Sequence, residues 1–347
     1  MENKIKSHDN LTHNYVPKYI SSWLIITIIM VIMMIIIGGI TRLTDSGLSM
    51  VEWRPLIGFI PPMDDNEWNR IFGLYMISPE YIFKNNGMSL TDFKEIYFWE
   101  YFHRLWGRLI GIIFIVPFIY FMIIRSIPKF LIKRMIFIFF LGGLQGLIGW
   151  WMVKSGLVND PTVSQYRLTI HLSNAFLILF LLTWSVLDLQ EGSVKIKLNF
   201  SFFILLLLSI TIIAGAFVAG MDAGLMYNEY PLMGNSFIPE NYGEYYLLDP
   251  FENPASAQFH HRHLALLTLI SIIIFAFKNY RICNDLKMRK IVLLMGIIVT
   301  FQFLLGIITL INMVPVHLGA LHQTGAVILF ICFTISMHRN NMNVKTN

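Results

Sequence analysis

The chain has 347 residues, of which 56% are hydrophobic and 14% charged, and its formal net charge is +5. Its mean hydropathy of +0.62 and a charge content well below the roughly 25% of soluble domains exclude a soluble globular or disordered protein. The positive balance follows the loops, so it is no nucleic-acid footprint. Two cysteines occur, Cys283 and Cys332. Neither falls in a segment placed outside, so no structural disulfide is expected.

The first 21 residues are polar, with Lys4, Lys6 and Lys18, and read as a cytoplasmic tail. They lack the order of a cleaved signal peptide and the Arg-rich look of a transit peptide. Apolar runs long enough for a bilayer, which needs about 20 residues each, follow near 22–40, 104–124, 135–153, 168–187, 199–220, 261–277, 291–311 and 316–337. The expected fold class is an all-α integral membrane protein with eight transmembrane helices. Glycines such as Gly142, Gly143, Gly146 and Gly149 allow close helix approach.

Charge sets the orientation. The loop at 125–134 carries Arg125, Lys129, Lys133 and Arg134. The loop at 278–290 carries Lys278, Arg281, Lys287, Arg289 and Lys290 against Asp285 alone. The loop at 221–259 has six acids and no Lys or Arg. Positive loops stay inside, so both termini, including the tail at 341–347, are placed in the cytoplasm. The loops at 41–103 and 221–260 are placed outside.

The chain then repeats itself. Asp45-Ser46-Gly47-Leu48 matches Asp222-Ala223-Gly224-Leu225. His103-Arg104 matches His261-Arg262. Gln145 through Gly149 matches Gln302 through Gly306, and His171 through Ala175 matches His322 through Ala326. The landmarks keep their order, which divides the chain into a half at 22–190 and a half at 191–340. Four helices per half make this a parallel repeat about an axis along the membrane normal.

The second, fourth, sixth and eighth helices run inward, and each carries one matched histidine early: His103, His171, His261 and His322. Two imidazoles per half, facing across a bundle, suit a planar iron macrocycle. Zinc takes three or four protein ligands. The reading is one haem site per half. A lone intramembrane histidine is commonly a hydrogen-bonded structural residue, but four in register argue for ligation. His8, His13 and His338 are read as tail residues. His260, His263 and His317 fall on other helix faces.

Arg104, Arg108 and Arg262 are candidates to pair haem propionates, with snorkelling to headgroups as the plain alternative. Trp99, Trp106, Trp150 and Trp151 read as an interfacial belt. One difference separates the halves. Glu100 stands three residues before His103, where Gln258 stands three before His261. A carboxylate can take a proton or stabilise a developing cation, and an amide cannot. The first half is thus the candidate for chemistry. The competing reading is that Glu100 merely caps the helix or pairs with Arg104.

These residues resemble haem A synthase, in the form found in alphaproteobacteria and mitochondria. The resemblance rests on Gly38-Gly39-Ile40-Thr41-Arg42-Leu43-Thr44-Asp45-Ser46-Gly47-Leu48-Ser49, on Trp53-Arg54-Pro55 through Gly58 with Pro61-Pro62, on Glu100 through Arg108, and on Phe251-Glu252-Asn253 before Gln258. It implies two four-helix bundles related by pseudo-twofold symmetry in a bacterial inner membrane. It implies oxidation of a methyl group of haem O to a formyl group, through hydroxylated intermediates. By resemblance, His103 and His171 hold the haem O substrate, His261 and His322 hold a haem b cofactor, and Glu100 is catalytic. Natural neighbours are membrane lipid, a haem O synthase and oxidase assembly factors. Some relatives carry a cysteine pair in outer loops, which this chain lacks there. A di-haem b-type quinol oxidoreductase is the alternative, and a transporter ranks behind it. The long loop at 41–99 is expected to form short amphipathic helices near 64–95, as a cover for the substrate site or a docking surface.

Overall fold

The computed structural model describes residues 18–52, 57–156 and 161–343. Trp53-Arg54-Pro55, the tail bearing Lys4, Lys6, His8 and His13, and the last four residues lie outside the described residues. The elements are α1 (Lys18–Leu43), α2 (Asp65–Met76), α3 (Pro79–Phe83), α4 (Leu90–Ile123), α5 (Lys129–Gly156), α6 (Gln165–Glu191), α7 (Phe200–Gly220), α8 (Asp249–Glu252), α9 (Pro254–Ile282), α10 (Leu286–Ile311) and α11 (Val316–Asn343). No β-strand occurs among the described residues, only one isolated bridge between Met233 and Ser236. Eight helices are long and apolar enough to cross a membrane: α1, α4, α5, α6, α7, α9, α10 and α11. They coincide with the eight apolar runs, and α1, α5, α6 and α9 extend theirs at both ends.

The largest extension is in α4, which begins at Leu90 rather than near 104. Its start is fixed locally. The Ser89 hydroxyl accepts from Asp92 N at 3.2 Å, and the Asp92 carboxylate accepts from Ser89 N at 3.2 Å. This reciprocal cap satisfies donors that a helix start leaves orphaned. His103 therefore lies well inside α4, although it stands at the start of the apolar part.

The same four pairings recur in each half. In the first, α1 packs on α4 and α6, and α5 packs on α4 and α6. In the second, α7 packs on α9 and α11, and α10 packs on α9 and α11. The halves meet where α6 touches α7 and α11, and where α1 touches α11. Polar side chains link the helices: Trp23 donates to Ile113 O at 3.0 Å and Trp106 to Met30 O at 2.9 Å. Trp106 is thus tied to the middle of α1.

The bundle has a loop end, with the segments 44–89 and 221–253, and a terminal end. At the loop end, Arg42 pairs with Asp45 at 3.1 Å and reaches across to Asp222 at 2.7 Å. At the terminal end, Asp188 of α6 is fully buried and pairs with Arg134 at 2.8 Å and with His338 of α11 at 3.0 Å. Arg339 forms a fork with Glu191. The expectation that His338 is a tail residue is corrected: α11 continues past it, and its ring is buried against Trp184.

The described residues of the loop at 41–99 fold into a cap. Asp64 caps α2 and Ser78 caps α3, so short helices form at 65–76 and 79–83, while residues 90–95 belong to α4. Met50, Tyr75, Phe93 and Tyr97 make a small buried core, with Tyr75 and Phe93 ring centres 4.8 Å apart. The cap therefore packs on the extension of α4, which explains why that segment is helical. Glu80 is buried in the cap at 3% exposure. Burial, with the nearby Glu100 and Asp45 carboxylates, pushes its carboxyl up to about 7, against the opposing pull of the Tyr75 hydrogen bond and Lys84.

Two predictions follow from this packing. Removing one partner of a buried ion pair costs about 3–5 kcal/mol, so Asp188→Ala lowers the thermal unfolding midpoint in detergent markedly; an unchanged midpoint refutes a junction held by these charges. The folded cap keeps the Glu80 proton up to pH about 7, whereas an unfolded chain releases it near 4.5. Stability thus falls as pH rises through that window. Hydrogen exchange over residues 65–97, corrected for intrinsic rates, shows more protection at pH 5 than at pH 8, and Glu80→Gln flattens the difference.

Candidate functional site

The four histidines sit on α4, α6, α9 and α11, all running from the loop end to the terminal end. Each imidazole rests on a glycine of a neighbouring helix. A Cβ on Gly38 of α1 would lie 2.9 Å from His103 Cε1, and one on Gly149 of α5 would lie 3.2 Å from His171 Cε1. In the second half the pairs are Gly215 with His261 and Gly306 with His322, both at 2.8 Å. Only a residue without a side chain admits a ring this close to a helix backbone. Gly215 was not singled out from sequence. The signal was present, since Gly215 precedes Asp222 by seven residues, as Gly38 precedes Asp45.

Polar contacts then fix the rings. His261 Nδ1 lies 3.1 Å from Thr211 O, so a proton on Nδ1 leaves the Nε2 lone pair for a metal. The Gln302 amide donates to His322 O at 2.7 Å and lies 3.2 Å from His322 Nδ1. Its repeat partner Gln145 donates to His171 O at 3.0 Å. His103 Nδ1 and His171 Nδ1 are buried without a hydrogen-bond partner.

The His261–His322 pair has the spacing that a haem iron needs. The His261 and His322 ring centres are 6.5 Å apart with perpendicular planes. Two metal–imidazole bonds of about 2 Å, each with about 1 Å from nitrogen to ring centre, require roughly 6 Å. No group of three or more His, Cys, Asp or Glu able to hold a metal ion occurs among the described residues. An iron here would take two ligands from the protein and the rest from its macrocycle. His260 lies instead 3.2 Å from the Tyr242 hydroxyl, and His263 is bonded to Phe259 O of its own helix.

Glu100 is buried at 3% exposure. One oxygen accepts from Ser49 Oγ and from Met50 N, each at 2.7 Å. The other pairs with Arg104, which also donates to Met50 O at 3.3 Å. The second half repeats the frame with opposite polarity. Gln258 donates to Tyr227 O at 3.0 Å, and Arg262 donates to Tyr227 O at 2.9 Å and to Gln258 Oε1 at 3.3 Å. Met50 and Tyr227 are repeat equivalents, each five residues after its aspartate. The first loop offers Glu100 an N–H and the second offers Gln258 a carbonyl, so each position carries the group its loop can satisfy. The Arg104 pair expected of a structural Glu100 is therefore present. Ser49 and Met50 escaped the sequence reading, because their contact depends on the loop folding back.

The arginines hold loop carbonyls rather than only reaching for solvent. Arg108 donates to Gly58 O at 3.1 Å and lies over the Phe59 ring at 5.3 Å. Arg262 also donates to Leu232 O at 3.1 Å, while its Nε is buried without a partner.

Residues 21–334 match the COX15-CtaA family profile, described as cytochrome oxidase assembly protein. The chain is 44% identical over 328 residues to a protein of Nitrosospira multiformis named heme A synthase, covering 91% of each. It is 42% identical over 333 residues to the heme A synthase of Pelagibacter ubique, covering 94% of this chain and 98% of that one. It is also 42% identical over 327 residues to the heme A synthase of Granulibacter bethesdensis, covering 92% and 86%. With the match spanning nearly every described helix, the chain belongs to the COX15-CtaA family of cytochrome oxidase assembly proteins.

Proposed function

We propose that the chain is a haem A synthase, oxidising the methyl group of haem O to a formyl group through hydroxylated intermediates. The observation that carries the site assignment is a carboxylate, Glu100, in one half of an otherwise matched pair of histidine sites. The names of the relatives support the activity. They give no support to a di-haem quinol oxidoreductase.

In this reading the two halves are pseudo-twofold-related four-helix bundles, at 22–190 and 191–340. The repeated helix pairings and glycine–histidine contacts support that division. The loop end faces outward from a bacterial inner membrane and both termini face the cytoplasm, as the basic loops at 125–134 and 278–290 require. Haem O is the substrate of the first half, bound between His103 and His171. His261 and His322 hold haem b, which supplies one-electron redox chemistry when bound. A haem O synthase upstream and an oxidase assembly route downstream are the partners this chemistry needs.

The protein's own groups do the rest. Gly38 and Gly149 let the first-half imidazoles sink beside the helix backbone and set the substrate's height. Gln145 fixes α6 at His171 O. Ser49, Met50 and Arg104 hold the Glu100 carboxylate in one orientation, so it needs little reorganisation when a proton or positive charge develops beside it. Ser49 and Met50 of the cap help to keep water from that carboxylate. Arg262 keeps one buried guanidinium donor, Nε, for a propionate.

Glu100→Gln keeps both pigments but lowers haem A yield by about 100-fold or more, the scale of a lost proton-transfer group. An unchanged yield refutes its role. Gly306→Leu drives a side chain into His322 and removes haem b while substrate remains, and Gly149→Leu does the reverse. Visible spectra and extracted pigment separate the two, and equal loss from both variants refutes one site per half.

A further inference from the structure

The two halves differ in how firmly their helices close. In the second half α10 packs along both α9 and α11. In the first half α5 packs along α6 but meets α4 at only a few points. Gly142, Gly146 and Gly149 fall at i, i+4 and i+7, on one face of α5. Aligned on Gln145 and Gln302, their repeat equivalents on α10 are Val299, Phe303 and Gly306. Val299 is 3% exposed and belongs to the core. Phe303 meets the Tyr230 ring edge-on at 6.4 Å. A Cβ on Gly296, one turn before Val299, would lie 3.7 Å from Ile273 Cδ1 of α9. The first half has no side chain at either filled position. Gly142 and Gly146 are exposed, and among the described residues no atom of another helix or side chain lies within 4 Å of a Cβ built on either. Of the α5 glycines expected to allow close helix approach, only Gly149 does so. The opening leads to the first site, because Gly149 faces the His171 ring, whose Nδ1 is buried without a partner. From Gly149 it runs about 10 Å along α5 to Gly142, away from the loop end. The Gln145 amide on this stretch is taken up by His171 O and Asn174, so an occupant is held there by apolar contact.

We propose that the seam between α4 and α5 receives the isoprenoid tail of haem O and makes the first site select haem O over haem b. The proposal rests on the haem A synthase reading. The two haems share one macrocycle and differ at one substituent. Haem O carries a long farnesyl-derived chain where haem b carries a vinyl group. A macrocycle held at His103 and His171 can pass that chain into the seam, toward the middle of the bilayer and away from water, where an apolar chain is most stable. The same chain has no room in the second half, because Val299 and Phe303 occupy the equivalent positions and α9 closes on α10. His261 and His322 therefore keep the haem with the short substituent. The four histidines are alike in both halves and cannot sort the two haems. Gly142 and Gly146, set against Val299 and Phe303, can.

The test is haem selection by the purified full-length protein in lipid nanodiscs. Haem O and haem b are offered in equal amounts, and the pigments bound per chain are extracted and identified by mass, with products of haem O counted as haem O. The unmodified protein fills the first site with haem O at about tenfold preference or more, since each buried methylene of the tail favours it. Gly142→Val with Gly146→Phe copies the second-half residues onto α5 and removes the preference, so haem b rises above the equivalent held by the second half. The spectrum of the second-half haem b and the thermal unfolding midpoint stay unchanged, because both glycines have space around them. Gly146→Phe alone lowers the preference about threefold and serves where the pair does not fold. A variant that folds and still selects haem O as the unmodified protein does overturns the proposal and leaves the seam to lipid. Equal loss of both haems from the first site also overturns it, since the added side chains then act on the macrocycle and not on the tail. An unmodified protein that never converts haem O fails the underlying function and takes the proposal with it. One that converts haem O while the variants keep its selection fails the seam alone.

Discussion

Close approach of an imidazole to a helix backbone is the constraint on which the structure depends. Four rings must be buried in an apolar bundle, and each needs room at a depth where a second ring can face it. Gly38, Gly149, Gly215 and Gly306 supply that room on α1, α5, α7 and α10. The helices without histidines thus serve as walls for those that carry them. The pairing of α1 with α4, α5 with α6, α7 with α9 and α10 with α11 follows from the same requirement. Gln145 and Gln302 add a polar link between helices, each donating its amide to a histidine carbonyl.

Duplication of this frame makes the differences between halves informative. Arg104 and Arg262 both grip the loop five residues after the repeated aspartate. One loop turns an N–H toward its neighbour and the other a carbonyl. Glu100 and Gln258 are complementary to those choices, so the charge in the first half is a product of loop conformation as much as of the helix that bears it. Structural and chemical roles for Glu100 are consequently not rivals: the bonds from Ser49 and Met50 that anchor the cap are also those that orient the carboxylate.

Much of this was legible in the sequence. Apolar runs located the eight long helices, because the stretch of a helix inside the bilayer core must be apolar. Repeat spacing located the four histidines and the Glu100/Gln258 contrast, because duplication preserves order. What escaped depended on chain reversal or long-range packing. The start of α4 at Leu90 became intelligible once the cap core of Tyr75, Phe93 and Tyr97 was seen. The partners of Glu100 come from a loop some fifty residues upstream. His338 looked like a tail residue because its partner Asp188 belongs to the other half.

The central claim is that one half binds a haem to be altered and the other a haem that is kept. Acid-acetone extraction of the purified, detergent-solubilised protein, with the pigments separated by chromatography and identified by mass, tests it most directly. The account predicts haem b together with haem O, haem A or a hydroxylated intermediate. Haem b alone, filling both sites of each chain, would contradict it and mark the protein as an electron carrier.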